Sequence, residues 1–148
     1  MTKQHLATSF DTADDSPGLL LWRLTNQWQA KQRAALKDFD LTHVQFVLLA
    51  SLVYTEQEHA PTQKQLAEFA RTNVMMTSQV LRKLEQKGLI TRSSSTKDSR
   101  SVIVKPTAVG VRLANKAVNA VEEVDRMFFA KAGDELPKFI GILQRLDT

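Results

Sequence analysis

The side chains best suited to chemistry lie between residues 62 and 100, and they are hydrogen-bond donors rather than nucleophiles. Met75, Ser78, Gln79 and Arg82 recur at three- and four-residue spacing with Lys83 beside them, so on a helix they share one face. Gln can pair with an adenine edge, Arg with guanine or phosphate and Ser with either, while Met75 or Met76 can touch a thymine methyl. Further on, Asp98 and Arg100 stand two residues apart. On a strand they share a side, and the carboxylate can hold the guanidinium extended, ready for the negative potential of a narrow minor groove. Arg92 and Lys97 beside that pair suit phosphates, as do Gln63, Lys64, Lys83 and the N–H groups of a helix starting at Thr62.

Other chemistry is poorly provided for. His5, His43 and His59 are scattered without metal-ligand spacing, and Ser93 to Ser95 lie in a polar stretch without an evident base, so neither catalysis nor a metal or other cofactor is expected. With no cysteine there is no disulfide, thiolate site or thiol redox switch. The longest apolar run, Phe46 to Tyr54 broken by Ser51, is far short of the roughly 20 residues a membrane helix needs. No charged segment followed by an apolar one marks a signal peptide, and a cytoplasmic protein is expected. The net charge of +4 is unevenly placed: Thr62 to Arg112 holds ten Lys or Arg against three Asp or Glu, leaving the flanks at −3. A basic centre between acidic flanks suits one face meeting phosphate, although a merely solvated face has similar composition.

The elements that must carry these residues can be read from caps and periods. Residues 1–15 show no sustained period and read as a disordered tail. Ser16-Pro17 is an N-cap followed by proline at the first helical position, and opens a helix to about Phe39 with Leu20, Leu21, Leu24, Trp28 and Leu36 along one stripe. Such a helix outreaches a small core, so part of its apolar face is expected to meet another subunit. Thr42 and Gln45, then Thr62 and Gln65, are capping-box pairs that open a buried helix to about Val53 and a short helix through Ala70. Arg71-Thr72 makes a turn and Asn73 caps the next helix, Val74 to Gln86, with Thr77, Val80, Leu81 and Leu84 inward. Gly88 stops it. Leu89 to Arg92 and Ser101 to Lys105 read as a hairpin with a polar tip, Thr107 begins a helix to about Ala130, and Asp134 caps a last helix to Leu146. The fold class is therefore mainly α with a small β-wing: a helix-turn-helix and its hairpin, flanked by N- and C-terminal helices. That shape is made to lie against duplex DNA.

These residues resemble the MarR family of dimeric winged-helix transcriptional regulators. The likeness runs from about Ser16 to the C-terminus and is carried by Leu41 to Phe46, Thr62 to Ala67, Val80 to Ile90, and Asp98-Ser-Arg100 followed by Thr107 and Gly110. It implies a subunit over 16–148, with 41–106 as the winged DNA-binding lobe and 16–40 with 107–148 as helices of a homodimer. In the family the residue matching Arg100 enters the minor groove, and the second helix of the motif reads the major groove of a pseudo-palindromic operator, so double-stranded DNA is the expected partner and repression the expected role. Two departures stand out: Pro106 replaces the usual leucine, and the Val74-Met75-Met76 start of the reading helix is more apolar than usual. Many members release DNA when a small, often aromatic and anionic, effector enters a cleft between the lobes; here Trp22, Arg23, His43 and Phe46 could contribute. The other reading kept open is a winged helix that contacts only proteins.

Overall fold

The computed structural model describes residues 5–95, 97 and 100–148. Six helices and one hairpin follow in the order α1 (Pro17–Leu36), α2 (His43–Thr55), α3 (Gln63–Ala70), α4 (Val74–Gln86), β1 (Ile90–Ser94), β2 (Val102–Pro106), α5 (Ala108–Phe128) and α6 (Leu136–Leu146). The caps explain where most of them start. The Ser16, Thr42, Thr62 and Thr107 hydroxyls accept from Leu19, Gln45, Gln65 and Gly110 N–H respectively, each relieving a donor the first turn leaves without an intrahelical partner. In α2 and α3 the Gln three residues on closes a reciprocal capping box. Ahead of α1, Ala13–Asp15 form a tight 3-10 turn, so the end of the segment read as a tail is itself helical.

The apolar helix α2 is the axis of the molecule. It packs against α1, α3, α4, α5 and β2, and its Phe46, Leu48, Leu49 and Leu52 join Leu66, Leu81, Leu84, Ile90 and Val104 in one closed core. A helix apolar all round needs neighbours on every side, and α2 has them. Alongside it α1 and α5 lie together, with Leu36, Ala117 and Val121 continuing the core. By contrast α6 contains no buried residue, and Ile140, Leu143 and Leu146 remain exposed.

Three boundaries differ from the sequence expectation. The first wing strand starts and ends nearer the tip, because Leu89 completes the end of α4 rather than starting β1: its N–H donates to Leu84 O at 3.0 Å while Gly88 takes φ +76°. Pro106, expected to end the hairpin, belongs to β2 and lies opposite Ile90. Asp134 does not cap α6. Residues Ala130–Glu135 form a 3-10 turn in which Gly133 O already accepts the N–H of Leu136, and Pro137 has no N–H to offer a carboxylate.

Candidate nucleic-acid interface

The helix-turn-helix is built by local bonds that leave one face of α4 clear. Arg71 turns the chain in the left-handed region at φ 57°, with its guanidinium donating to Glu68 O at 2.9 Å and to the Asp147 carboxylate at 3.0 Å. Asn73 Oδ1 then accepts the N–H groups of Met75 and Met76 at 2.8 and 3.2 Å. Thr77 is fully buried, bonded to Thr72 Oγ1 and Asn73 O, and with Leu81 and Leu84 it fixes which side of α4 faces inward. Opposite them Met75, Met76, Gln79, Arg82 and Lys83 are exposed and Ser78 is half-buried, so the residues chosen from the sequence as groove readers do share one outer face. Val80, expected inward, is only partly buried.

The far end of α4 is pinned by a contact that no local spacing reveals. Lys87 Nζ donates to Asp40 O and, at 3.1 Å, to Gln45 Oε1, so a side chain counted among the basic residues fastens α4 to the start of α2. Arg92, expected to meet phosphate, is held in the same way: its guanidinium donates to Glu85 at 3.1 Å and its backbone N–H to the other carboxylate oxygen at 3.2 Å. The pair stands seven residues apart, across a helix end and a strand start, where neither the helical nor the strand period brings residues together. The free positive charge of the lobe is therefore smaller than its composition suggests.

The wing is a two-stranded antiparallel hairpin with Arg92 opposite Val104. A third short stretch joins it, unrecognised in the sequence: Thr62 bridges Ile103, and Pro61 O accepts the Val104 N–H at 3.0 Å. This bridge sets the start of α3, and with it Gln63 and exposed Lys64, beside the hairpin. Lys97 and Arg100 lie exposed near the tip, while Asp98, the other half of the expected Asp98–Arg100 pair, lies outside the described residues. At the root, Thr107 donates from its hydroxyl to Gly88 O at 2.7 Å and from its N–H to Leu89 O at 3.0 Å. Gly110 completes the joint, since a Cβ there would stand 2.0 Å from Leu89 O.

The expected effector residues are not gathered in the single chain. Trp22 is exposed, Arg23 is drawn away to Asp14 at 2.8 Å, and Phe46 is part of the closed core. Only His43 stands at the seam of α1, α2 and α5, its ring edge-on to Trp28 with centroids 5.0 Å apart. Burial lowers its pKa, the Arg33 charge lowers it further and the Asp125 carboxylate opposes both. Behind this pair Asp125 Oδ1 accepts from Trp28 Nε1 at 2.7 Å and from Gln32 Nε2 at 2.8 Å, a half-buried polar knot that the α1 stripe did not announce. Among the described residues no cluster suits a metal ion, and no helix is long and apolar enough to cross a membrane.

Comparison with known proteins agrees with this geometry. The MarR family model matches residues 41–102. An uncharacterized HTH-type transcriptional regulator of Bacillus subtilis, YdcH, is 45% identical over 94% of this chain and 95% of its own length. The HTH-type transcriptional repressor Rv2887 of Mycobacterium tuberculosis is 34% identical over 92% of this chain and 97% of its own. Among solved structures, a mutant MarR of E. coli complexed with operator DNA superposes with a TM-score of 0.80 at 20% identity, covering 93% of this chain and 99% of that one. These relatives are regulators, not enzymes, and with the winged helix-turn-helix described above they place this chain in the MarR family of DNA-binding transcriptional regulators.

Proposed function

We propose that this protein is a repressor that binds a pseudo-palindromic duplex site as a homodimer. The observation that carries the proposal is the outer face of α4, where Met75, Gln79, Arg82 and Lys83 stand clear while Thr77, Leu81 and Leu84 hold the opposite face in the core. Gln79, Arg82 and Ser78 read base edges, Thr62, Gln63, Lys64 and Lys83 position the duplex through phosphates, and Lys97 and Arg100 reach it from the wing. The dimer is supported by the apolar residues left uncovered on α1 and α6, Leu21, Leu24, Ile140, Leu143 and Leu146 among them. Its two reading helices would stand about one turn of DNA, roughly 34 to 36 Å, apart. Residues 16–40 and 107–148 form the dimerising part and 41–106 the reading part. Release by a small aromatic or anionic effector belongs to the same reading, with the His43 seam as the place where the two parts would change their spacing.

Selection from a random duplex pool, followed by affinity measurements at several salt concentrations, tests the proposal. An inverted repeat is expected, with affinity falling steeply as salt rises because bound phosphates release counterions. Gln79→Ala should relax preference at one base position per half-site, by about 1 to 3 kcal/mol, and leave the salt slope unchanged. No binding to any duplex at low salt would leave a winged helix that meets only proteins.

A further inference from the structure

The start of a reading helix is usually the place to look for phosphate contacts, because its first N–H groups lack intrahelical partners. In α4 the side-chain oxygen of Asn73 accepts two of them, from Met75 and Met76. What this turn presents instead is carbon and sulfur: Val74, Met75 and Met76 are 57%, 75% and 37% exposed. They cannot turn inward, since Thr77, Leu81 and Leu84 already fill that side at zero exposure. Three consecutive apolar side chains in water would ordinarily mark a protein contact. Their surroundings argue for another occupant. Arg82 and Lys83 are exposed farther along the same helix, and Lys64 is exposed on α3, so what meets this patch must be a polyanion that offers apolar points between its charges.

We infer that Val74, Met75 and Met76 select the duplex through the C5-methyl groups of its pyrimidines. In the major groove the thymine methyl is the apolar group on the base edges, and it lies in the same wall as the acceptors and donors that Gln79 and Arg82 read. Stiff, β-branched Val74 supplies a fixed surface, and the unbranched thioethers of Met75 and Met76 adapt around it. The inference rests on the regulator reading and deepens it: the preferred half-site carries methyl-bearing pyrimidines under the first turn of α4.

Uracil isolates the methyl, since it differs from thymine by that group alone and keeps every donor and acceptor. The tightest duplex from a random pool is compared with the same duplex synthesised with deoxyuridine at every thymidine, by fluorescence anisotropy on the full-length protein. Removing the methyls should weaken binding by about fourfold for each one buried, as expected for a methyl-sized apolar group returned to water. In the double variant Val74→Thr, Met75→Gln, whose altered positions are exposed and outside the core, the ratio between the two duplexes should fall toward one. Equal affinity of the unaltered protein for both duplexes overturns the inference and leaves the regulator reading standing. An undiminished ratio in the double variant also overturns it, by placing the methyl contacts elsewhere. Failure to bind either duplex at low salt overturns both readings together.

Discussion

The winged lobe and the helical lobe treat their apolar residues in opposite ways. Around α2 every large aliphatic side chain of the core is closed off by the same chain, with Leu48, Leu49, Leu52, Leu66, Leu81 and Leu84 all at zero exposure. Along α6 and the outer side of α1 many apolar residues remain in water, Leu21, Trp22, Leu24, Ile140, Leu143 and Leu146 among them; Leu36 of α1 reaches the core, but α6 buries none of its own. One lobe is a finished fold; the other has the composition of a core without the neighbours that would make it one. In the proposed homodimer this division would follow function: the reading surface is rigid before it meets its partner, whereas the helical lobe would reach its final state on assembly.

The strongest way to break this comparison is to damage each lobe in the same chemical manner. Leu49→Ala removes a side chain packed on all sides and should cost about 2 to 5 kcal/mol of stability in urea unfolding, whatever the protein concentration. Leu143→Glu should hardly alter the fold of one chain, yet shift the assembly toward monomer in sedimentation at micromolar concentration. If Leu143→Glu unfolded the protein in a concentration-independent way, α6 would belong to a closed core and the contrast would disappear.

The joint between the lobes gives a sharper, smaller test. Gly88 supplies a positive φ, Thr107 bonds back to Gly88 O and Leu89 O, and Gly110 leaves room for the Leu89 carbonyl. Gly110→Ala puts a methyl where a backbone oxygen stands, and backbone yields less readily than a side chain. A loss of about 1 to 3 kcal/mol is expected from overpacking. The wing should tilt away from α5, weakening duplex binding more than stability alone predicts; a variant with full affinity and lowered stability would separate the joint from the wing's placement.

What could be read from the sequence divides along a physical line. Most features set by neighbours within four residues were legible: the capping boxes at Thr42 and Thr62, the Asn73 cap, the Gly88 stop and, of the expected inward face, Thr77, Leu81 and Leu84 stand in the structure where the residues place them, whereas Val80 is only partly buried and Asp134 caps nothing. Features set by distant partners were not. Lys87 reaching Asp40, Arg92 folded onto Glu85, Pro61 and Thr62 adding to the wing, and Asp125 joining Trp28 to Gln32 each need the tertiary arrangement to exist first. The outer face of α4 was legible because burial of the inner face determines it. Trp22, Arg23, His43 and Phe46 were chosen for type, and type does not tell an exposed Trp22 from a buried Phe46.

The smallest expected effect lies at the seam itself. His43 is half-buried on α2, faces Trp28, and feels Arg33 from α1 and Asp125 from α5. Burial first and the Arg33 charge second hold its pKa below the ordinary value of 6.5, outweighing the attraction of Asp125. Between that lowered value and 6.5 the unfolded chain binds more protons than the folded one, so stability must fall as pH drops through 6.5 and level off once the folded protein also takes up the proton. Urea unfolding from about pH 8 to about pH 5 should show this decline in the native sequence and a flatter profile in His43→Gln. Because the ring stands where the finished lobe meets the unfinished one, the same variant separates two possibilities. If His43 only packs, duplex affinity will not follow the stability profile; if it sets the spacing of the lobes, affinity will lose its pH dependence in the variant along with stability.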